Sequence, residues 1–301
     1  MARQASIAYH VEELLGTTVI ATNPVAGGDI CIATRARLGD GRSVFVKARP
    51  GAPAGFFATE ASHLAWLAAA GADAAPTPAV LGYDQECLIL EWVEAGRSSV
   101  EAAERLGRAL AATHRAGAPV FGAEADGFIG PLPQPNTPSE RWTEFYGRYR
   151  VEPYLRMAFN RGRLGADDAN AICEVLDRIE DLAGPPEPPA RVHGDLWSGN
   201  IIWAVDGQPR LVDPAAHGGH RESDLAMLAL FGAPHLDRLL ASYTEVHPLA
   251  DGWRERIPLH QIHPILTHAA LFGGGYGARA GQVARDLLSA RARQASGANP
   301  A

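Results

Sequence analysis

A stretch late in the chain carries three side chains whose types suit proton transfer and metal binding. They are Asp195, Asn200 and Asp213. Between Asn200 and Asp213, two apolar runs flank the pair Asp206-Gly207, which strongly predicts a hairpin turn. Because a hairpin brings its two ends together, we expect Asn200 and Asp213 to lie side by side, with Asp195 on the loop just before them.

The spacing of these residues is typical of phosphoryl transfer. In protein kinases, a His-x-Asp-x-x-x-x-Asn segment followed by an Asp after a hairpin provides the acceptor of the hydroxyl proton and two ligands of Mg²⁺. Amide and carboxylate oxygens are ligands that a hard cation prefers. A structural turn beside a hairpin would not require all three residues. The pattern therefore predicts Asp195 as the catalytic base and Asn200 and Asp213 as the metal ligands.

A lysine and a glutamate in the first third of the chain form a second candidate pair. Lys47 lies near the end of an apolar strand pattern, and Glu60 shares a helical face with Leu64 and Leu67. A carboxylate on an apolar face is costly unless it is paired, so we expect Lys47 to be its partner. Kinases use such a pair to hold the phosphates of ATP. The alternative is that Lys47 points from its strand into water and has no role in binding.

Two glycines, Gly27 and Gly28, join the first two predicted strands. Because they lack Cβ atoms, they would let backbone N–H groups approach a phosphate closely. The loop lacks the full G-x-G-x-x-G pattern, so a plain hairpin turn is the alternative. We predict that Gly27 and Gly28 bind the nucleotide.

The distribution of patterns along the chain predicts an α+β fold with two lobes. Residues 1–93 would form a nucleotide-binding lobe with a five-stranded antiparallel sheet and one main helix. Its last strand ends in Glu91, Trp92 and Val93, which would be a hinge whose backbone contacts the adenine edge; an ordinary strand exit is the alternative. Residues 94–301 would form a mostly helical catalytic and substrate-binding lobe that carries the hairpin.

Three finer predictions concern this second lobe. Ser98 and Glu101 have the spacing of a capping box at the start of a helix. Residues 121–138 are rich in glycine and proline and predict a long irregular loop of functional importance. Residues 166–182 predict a single helix.

Composition narrows the function classes. The 301 residues carry a net charge of −7, which argues against a nucleic-acid binder because such proteins need basic surfaces. The three cysteines lack a C-x-x-C pair, so we expect neither a zinc site nor a disulfide framework. His260, His263 and His268 have no metal-ligand spacing. We find no membrane-spanning run and no signal-peptide pattern, and expect a cytoplasmic protein.

Taken together, these residues resemble the fructosamine kinase family, the ketosamine 3-kinases, a branch of the small-molecule kinases similar to aminoglycoside phosphotransferases. Lys47 and Glu60 stand where the family's ion pair belongs, and the likeness extends over nearly the whole chain. Trp-Ser-Gly after Asp195 and Pro-Ala after Asp213 favour this branch over aminoglycoside or choline kinases. The segments that match the family's motifs are His193 to Asn200, Val212 to Ala215, Gly219 to Met227, and Gly130 to Asn136 with the pattern Gly-x-x-x-Gln-x-Asn.

The resemblance implies a protein-kinase-like fold and ATP-dependent, Mg²⁺-assisted phosphorylation of the C3 hydroxyl of a ketosamine. The phosphate would then promote a spontaneous elimination that frees the amine, so the activity would be deglycation of small amines or proteins. It also implies that Trp197 lies against the sugar, and that Gln134 and Asn136 help to bound the sugar pocket.

The chain departs from the family pattern at two places. His220 stands where many relatives have the acid of a Gly-Asp-Arg-Glu motif, which leaves the role of that position open. Asp29 stands where several relatives have a cysteine in the glycine loop, so we do not transfer a redox switch to Cys31.

Two other functions fit the same motifs. One is a kinase of another hydroxylated amine, such as an aminoglycoside, and the other is a pseudokinase that binds ATP without turning it over. Three questions stay open: which ketosamine sugar is preferred, whether its amine is free or protein-bound, and whether the chain is a monomer or a homodimer. No nucleic-acid or membrane partner is expected.

Overall fold

The computed structural model describes residues 2–26 and 30–295, so the predicted nucleotide-binding glycines Gly27 and Gly28 lie outside the described residues. Five antiparallel strands form the main sheet in the order β1-β2-β3-β5-β4. These strands are β1 (Val19–Pro24), β2 (Ile32–Leu38), β3 (Ser43–Ala48), β4 (Val80–Tyr83) and β5 (Cys87–Glu91). The predicted α+β fold with a five-stranded antiparallel sheet is confirmed.

The two faces of this sheet are covered by different helices. Helix α1 (Ala2–Leu15) packs Ile7 and Val11 against one face, together with the alternate strand residues Val44 and Val46. Helix α2 (Phe56–Ala68) packs against the opposite face through Phe57 and Leu64. Because side chains alternate along a strand, Lys47 of β3 points to the α2 side and away from α1.

The remainder of the described chain is mostly helical, with three short two-stranded sheets. The helices are α3 (Val100–Arg115), α4 (Trp142–Phe145), α5 (Glu152–Asn160), α6 (Ala166–Asp177), α7 (Ile179–Leu182), α8 (Glu222–Phe231), α9 (Leu236–Val246), α10 (Trp253–Phe272) and α11 (Tyr276–Ala295). The strands are β6 (Gly127–Ile129), β7 (Leu132–Gln134), β8 (Ala190–Val192), β9 (Ile201–Trp203), β10 (Pro209–Leu211) and β11 (His217–Gly219). They pair as β6 with β7, β9 with β10, and β8 with β11.

Two apolar clusters hold this helical part together. The larger one joins α4, α5, α6, α10 and α11 and contains the fully buried Tyr154. The smaller one lies beneath the hairpin β9–β10, where Leu106 and Leu110 of α3 meet Leu239 and Tyr243 of α9. The hairpin therefore rests on a rigid base of two packed helices.

The three finer predictions for this part were wrong in detail. The side chain of Ser99, and not Ser98, caps α3 by accepting a hydrogen bond from the Ala102 N–H. The segment 166–182 is interrupted at Arg178, where the backbone leaves helical geometry between α6 and α7. The segment 121–138 is not wholly irregular, because it contains the hairpin β6–β7. A π-helical turn at Tyr146–Val151, between α4 and α5, has no signal in the hydrophobic pattern.

Within residues 2–26 and 30–295, no helix combines the length and the apolar composition needed to cross a membrane. Helices α10 and α11, with 20 residues each, contain charged or polar side chains over much of their length.

Gly107 allows α3 and α9 to pack in close contact, and its replacement tests this base of the hairpin. A Cβ at Gly107 would lie 2.2 Å from the Leu239 carbonyl oxygen, so Gly107→Ala must separate the two helices. We expect the free energy of unfolding to fall by about 2 kcal/mol, the usual cost of overpacking. Urea denaturation measures this free energy of unfolding. The control is Arg108→Ala, at an exposed position of the same helix. An unchanged midpoint for Gly107→Ala would contradict the close packing.

Candidate active site

The hairpin β9–β10 places Asn200 and Asp213 next to each other, as expected. Ile201 pairs with Leu211, and the Val212 N–H donates a hydrogen bond to the Asn200 carbonyl at 3.1 Å. Asp213 is the next residue after Val212. The strand β8 on the other side of the loop delivers Asp195 to the same end of the hairpin.

Direct hydrogen bonds join Asn200 to Asp195. The amide nitrogen of Asn200 donates to the backbone carbonyl of Asp195 at 2.8 Å and to its carboxylate at 3.3 Å. The amide oxygen of Asn200 is thereby directed away from Asp195. Asp213 has a φ of 57°, a conformation that costs free energy for a residue with a side chain. The fold therefore holds Asp213 in a fixed and strained position beside Asn200.

Lys47 joins the sheet, the helix α2 and the hairpin at one point. Its ammonium donates to both carboxylate oxygens of Glu60 at 2.7 Å and to Asp213 Oδ1 at 2.9 Å. Lys47 and Glu60 are buried, whereas Asp213 is exposed towards the cleft. The predicted pair of Lys47 and Glu60 is thus present, and it extends to a third residue that lies 166 positions away in sequence from Lys47.

The charges at this point are unbalanced. Three carboxylates, those of Glu60, Asp195 and Asp213, face the single ammonium of Lys47. Burial alone would lower the pKa of Lys47, but the charges of Glu60 and Asp213 outweigh it and raise this pKa. Burial and the negative charge of Asp213 raise the pKa of Asp195 to about 7. Such an excess of negative charge is suited to a divalent cation and makes Asp195 an acceptor for a proton near neutral pH.

A buried carboxylate, that of Asp224 in α8, fixes the loop that carries Asp195. It accepts the backbone N–H groups of His193 at 2.7 Å and Gly194 at 2.9 Å. His114 donates to the same carboxylate from Nε2 at 3.1 Å and accepts the Tyr243 hydroxyl at Nδ1. Burial alone would raise the pKa of Asp224, but the hydrogen bond and charge of His114 outweigh it and keep the pKa below its ordinary value.

His193 connects this loop to the hairpin. Its Nε2 donates to the Val212 carbonyl at 3.0 Å, and its Nδ1 accepts the Asp195 N–H at 3.3 Å. Gly194, between them, has a φ of 81° and passes so close to Ala215 that a Cβ would lie 2.2 Å from the Ala215 carbonyl oxygen. The His-Gly-Asp sequence is therefore required by contacts on both sides of the loop.

The start of α8 is itself anchored to α10. Glu222 accepts two hydrogen bonds from the Arg256 guanidinium, at 2.6 and 3.0 Å, and lies 3.3 Å from His260 Nε2. Burial alone would raise the pKa of Glu222, but the adjacent His260 and the hydrogen bonds from Arg256 lower it to about 2. His220, whose role the sequence left open, is buried against Trp142 and His260. It therefore contributes to the packing beneath the loop.

The predicted hinge residues lie at the end of β5 and lead directly to the hairpin. Glu91 ends the strand, and beyond Val93 the Gly96 N–H donates to the Trp203 carbonyl at 2.6 Å. The ring of Trp92 lies between Phe45 of β3 and the guanidinium of Arg35, which is 4.3 Å from the ring centroid. The segment thus borders the cleft beneath the sheet, on the same side as Lys47.

The predicted sugar contacts Gln134 and Asn136 are both fully buried. The amide oxygen of Asn136 accepts the Arg150 guanidinium at 2.5 Å, and Gln134 donates to the Ala215 carbonyl at 3.2 Å. Gln134 thus holds the hairpin β6–β7 against the segment that follows Asp213, and Asn136 holds the residues after the hairpin against Arg150 of the π-helical turn. Trp197, by contrast, is 40% exposed. Their contact with a sugar remains a prediction.

Two further residues that position the site were not found from the sequence. His63, one turn after Glu60 in α2, accepts the Ala216 N–H at 3.2 Å and so ties α2 to the segment after Asp213. His114 of α3 is the partner of Asp224. A histidine on the buried face of α3 was the only signal for it, and no motif marks His63.

Comparison with known proteins agrees with this geometry. A family model described as fructosamine kinase matches residues 3–290. A crystal structure from Thermobifida fusca, provisionally described as a fructosamine-3-kinase, is 50% identical, with a TM-score of 0.90 over 94% of this chain and 99% of that one.

Two curated relatives also align over most of their length. A probable ketoamine kinase from Synechocystis is 37% identical over 88% of this chain and 89% of that protein. The chloroplastic protein-ribulosamine 3-kinase of Arabidopsis thaliana is 34% identical over 90% and 84%. A macrolide 2′-phosphotransferase, at 18% identity and a TM-score of 0.62 over 94% and 97%, shares the fold alone.

Replacement of Asp224 tests its role as the brace of the loop. Asp224→Asn keeps the size of the side chain but turns an amide NH₂ towards the N–H donors of the loop. We expect the free energy of unfolding to fall by about 3 kcal/mol, because hydrogen bonds to a buried charge are lost and a donor is left without an acceptor. Urea denaturation is the measurement. Asp181→Asn, at an exposed position, is the control, and equal stability of the two variants would refute the brace.

The low pKa of Glu222 predicts a dependence of stability on pH. A carboxyl whose folded pKa is depressed stabilises the fold above its unfolded pKa of about 4.5, and this contribution is lost as the pH falls towards about 2. At pH 7, Glu222→Gln should therefore be less stable than the parent by about 2 kcal/mol. In urea unfolding series, the difference in the free energy of unfolding between Glu222→Gln and the parent should become smaller as the pH falls from 4.5 to 3. A pH-independent difference would contradict the assignment, and the exposed Glu174→Gln is the matched control.

Proposed function

This chain belongs to the fructosamine kinase family, and we propose that it transfers a phosphoryl group from ATP to the C3 hydroxyl of a ketosamine such as a fructosamine or ribulosamine. It is a phosphotransferase with an alcohol acceptor. The single observation that carries the proposal is the junction at Lys47, whose ammonium joins Glu60 to Asp213 beside Asp195. An ion pair with a purely structural role would not need the strained Asp213, which lies 166 positions from Lys47 in sequence.

Each polar group at the junction has a role that follows from its contacts. Asp195 accepts the proton of the acceptor hydroxyl, since its raised pKa makes it a better base than an ordinary aspartate. Lys47 stays charged and stabilises the phosphates, and Glu60 fixes its position. His193 and Asp224 fix the loop of Asp195 and so hold Asp195 at a constant distance from the phosphates.

The residues fit a magnesium ion. Asn200 uses its amide NH₂ on Asp195, so its Oδ1 is available, and Asp213 uses Oδ1 on Lys47, so its Oδ2 is available. Two hard oxygens in a site with excess negative charge are the protein ligands that Mg²⁺ commonly takes beside phosphate and water. When bound, the ion neutralises charge on the transferred phosphoryl group.

The nucleotide is proposed to lie beneath the sheet. Glu91, Trp92 and Val93 would contact the adenine through their backbone, and Gly27 and Gly28 would cover the phosphates. The lobes are proposed to be residues 1–93 and 94–301. Support comes from the position of the hinge segment beside Phe45 and on the same side of the sheet as Lys47.

The product accounts for the biological role that we propose. A phosphate on C3 of a ketosamine is a good leaving group. The enaminol form across C1 and C2 expels it from C3, and water then hydrolyses the resulting imine at C1, which frees the amine and removes the sugar. The amine could belong to a small molecule or to a protein, and the relative from Arabidopsis is named for a protein substrate. The three cysteines are unpaired, which supports a reducing cytoplasm as the site of action. Phosphorylation of an aminoglycoside is less supported, because the relatives that align over most of this chain at 34 to 50% identity are named for ketoamine, ribulosamine or fructosamine substrates.

Steady-state phosphorylation tests the proposal. Purified protein with ATP and Mg²⁺ is given fructosamine, ribulosamine and kanamycin, and the phosphorylated product is identified by mass spectrometry. We expect transfer to at least one ketosamine and none to kanamycin. Asp195→Asn should lower kcat by roughly a hundredfold to a thousandfold with little change in the KM for ATP, because the base acts on the acceptor.

The control for this variant is Asp237→Asn, an exposed aspartate of α9, which should retain parental activity. Full activity of Asp195→Asn would remove the base assignment. Transfer to kanamycin but to neither ketosamine would overturn the proposed substrate, and binding of ATP without any transfer would indicate a pseudokinase.

A further inference from the structure

The acceptor side of the cleft carries a run of aromatic rings that the roles above do not explain. It begins at Trp197, whose indole folds over the backbone of Gly199, so that a Cβ at Gly199 would lie 2.3 Å from the ring. Gly199 belongs to the loop between Asp195 and Asn200. The indole is therefore held beside the place where the acceptor hydroxyl must lie.

Three further rings continue from this indole. The ring centroids of Trp197 and Phe231 are 6.2 Å apart, those of Phe231 and His268 4.7 Å, and those of His268 and Phe272 5.7 Å. We call these four residues the aromatic shelf. Its two ends are exposed, Trp197 by 40% and Phe272 by 57%. Side chains this apolar are costly to leave in water, and a row of them beside a catalytic loop suggests a ligand.

The far end of the shelf lies near Gly130 and Ile30. Phe272 follows Leu271, and a Cβ built on Gly130 would lie 3.7 Å from Leu271 Cδ1 and 3.1 Å from Ile30 Cδ1. Ile30 lies just beyond the predicted glycine turn in sequence. The shelf thus runs from the loop of Asp195 to the side chains beside Gly130 and Ile30.

The electrostatics at the catalytic end of the shelf favour a cation. Asp195 and Asp213 supply negative charge at its catalytic end. At its centre, His268 donates from Nδ1 to the Pro264 carbonyl at 2.8 Å, and burial together with the nearby Arg279 lowers the pKa of His268. Its ring is therefore neutral at pH 7, so the centre of the shelf offers an apolar surface, whereas the indole face of Trp197 at the catalytic end attracts ammonium groups.

We infer that the aromatic shelf binds the protonated amine of the ketosamine and the hydrocarbon substituent that this amine carries. In a ketosamine, four bonds separate the C3 hydroxyl oxygen from the amine nitrogen on C1. A hydroxyl at Asp195 therefore brings the ammonium close to Trp197, and the substituent extends over Phe231 and His268 towards Phe272. The inference rests on the proposed function and makes the amine portion of the substrate, in addition to its sugar, a determinant of specificity.

The test compares two ketosamines that share one sugar and differ only in the amine, one derived from methylamine and one from benzylamine. The parent enzyme should have the higher kcat/KM for the benzyl compound. Phe272→Ala should lower the ratio of the two kcat/KM values by about tenfold, the usual effect of a lost apolar contact in a substrate pocket, with an unchanged KM for ATP. Phe272→Leu, which keeps hydrocarbon bulk without the ring, should give an intermediate ratio and guards against misfolding of the alanine variant.

The matched control is Tyr9→Ala, an exposed aromatic residue on α1 at the opposite face of the sheet, which should keep the parental ratio. An unchanged ratio in both Phe272 variants would overturn the inference and leave the proposed function standing. A change of sedimentation coefficient in Phe272→Ala with an unchanged ratio would show that the shelf is a contact between copies of the chain. If the parent enzyme phosphorylates neither compound, the inference fails together with the proposed function.

Discussion

The buried ammonium of Lys47 is the interaction on which the architecture of the site depends. It is shared by a glutamate of α2 and an aspartate that follows the hairpin β9–β10. One cation between two carboxylates cannot neutralise both, so the junction keeps an excess of negative charge. Together with burial, which is the larger cause, that excess raises the pKa of Asp195, and the proposed divalent ion would offset it. The contacts of Lys47 with Glu60 and Asp213 thereby link the positions of β3, α2 and the hairpin β9–β10 to the electrostatics around Asp195.

The second constraint is the accuracy with which the loop of Asp195 is held. Phosphoryl transfer depends mainly on position and charge, so a small displacement of the proposed base Asp195 would slow the reaction. The loop is fixed from below by a fully buried carboxylate on α8, and from the side by His193. Helix α8 is in turn fixed to α10 by the pair of Glu222 and Arg256. A chain of buried, hydrogen-bonded charges therefore connects the site to the core of the helical part.

Much of the site was accessible from the sequence because its residues lie in short, regular elements. The spacing of Asp195, Asn200 and Asp213 around an Asp-Gly turn leaves a hairpin as the simplest geometry, and the structure has that hairpin. The partner of Glu60 followed from the cost of a charge on an apolar helical face. Local periodicity and the cost of burial were sufficient in these cases.

Other features required the tertiary structure, because they depend on contacts between residues that are distant in sequence. The sequence by itself determined the order of elements, the antiparallel sheet and the identity of the charged groups, since these follow from side-chain periodicity and desolvation. Only the folded chain brought Asp213 to Lys47, buried Gln134 and Asn136, and aligned the four rings of the aromatic shelf. No local pattern encodes such distances, because they are set by how helices and sheets pack as whole bodies.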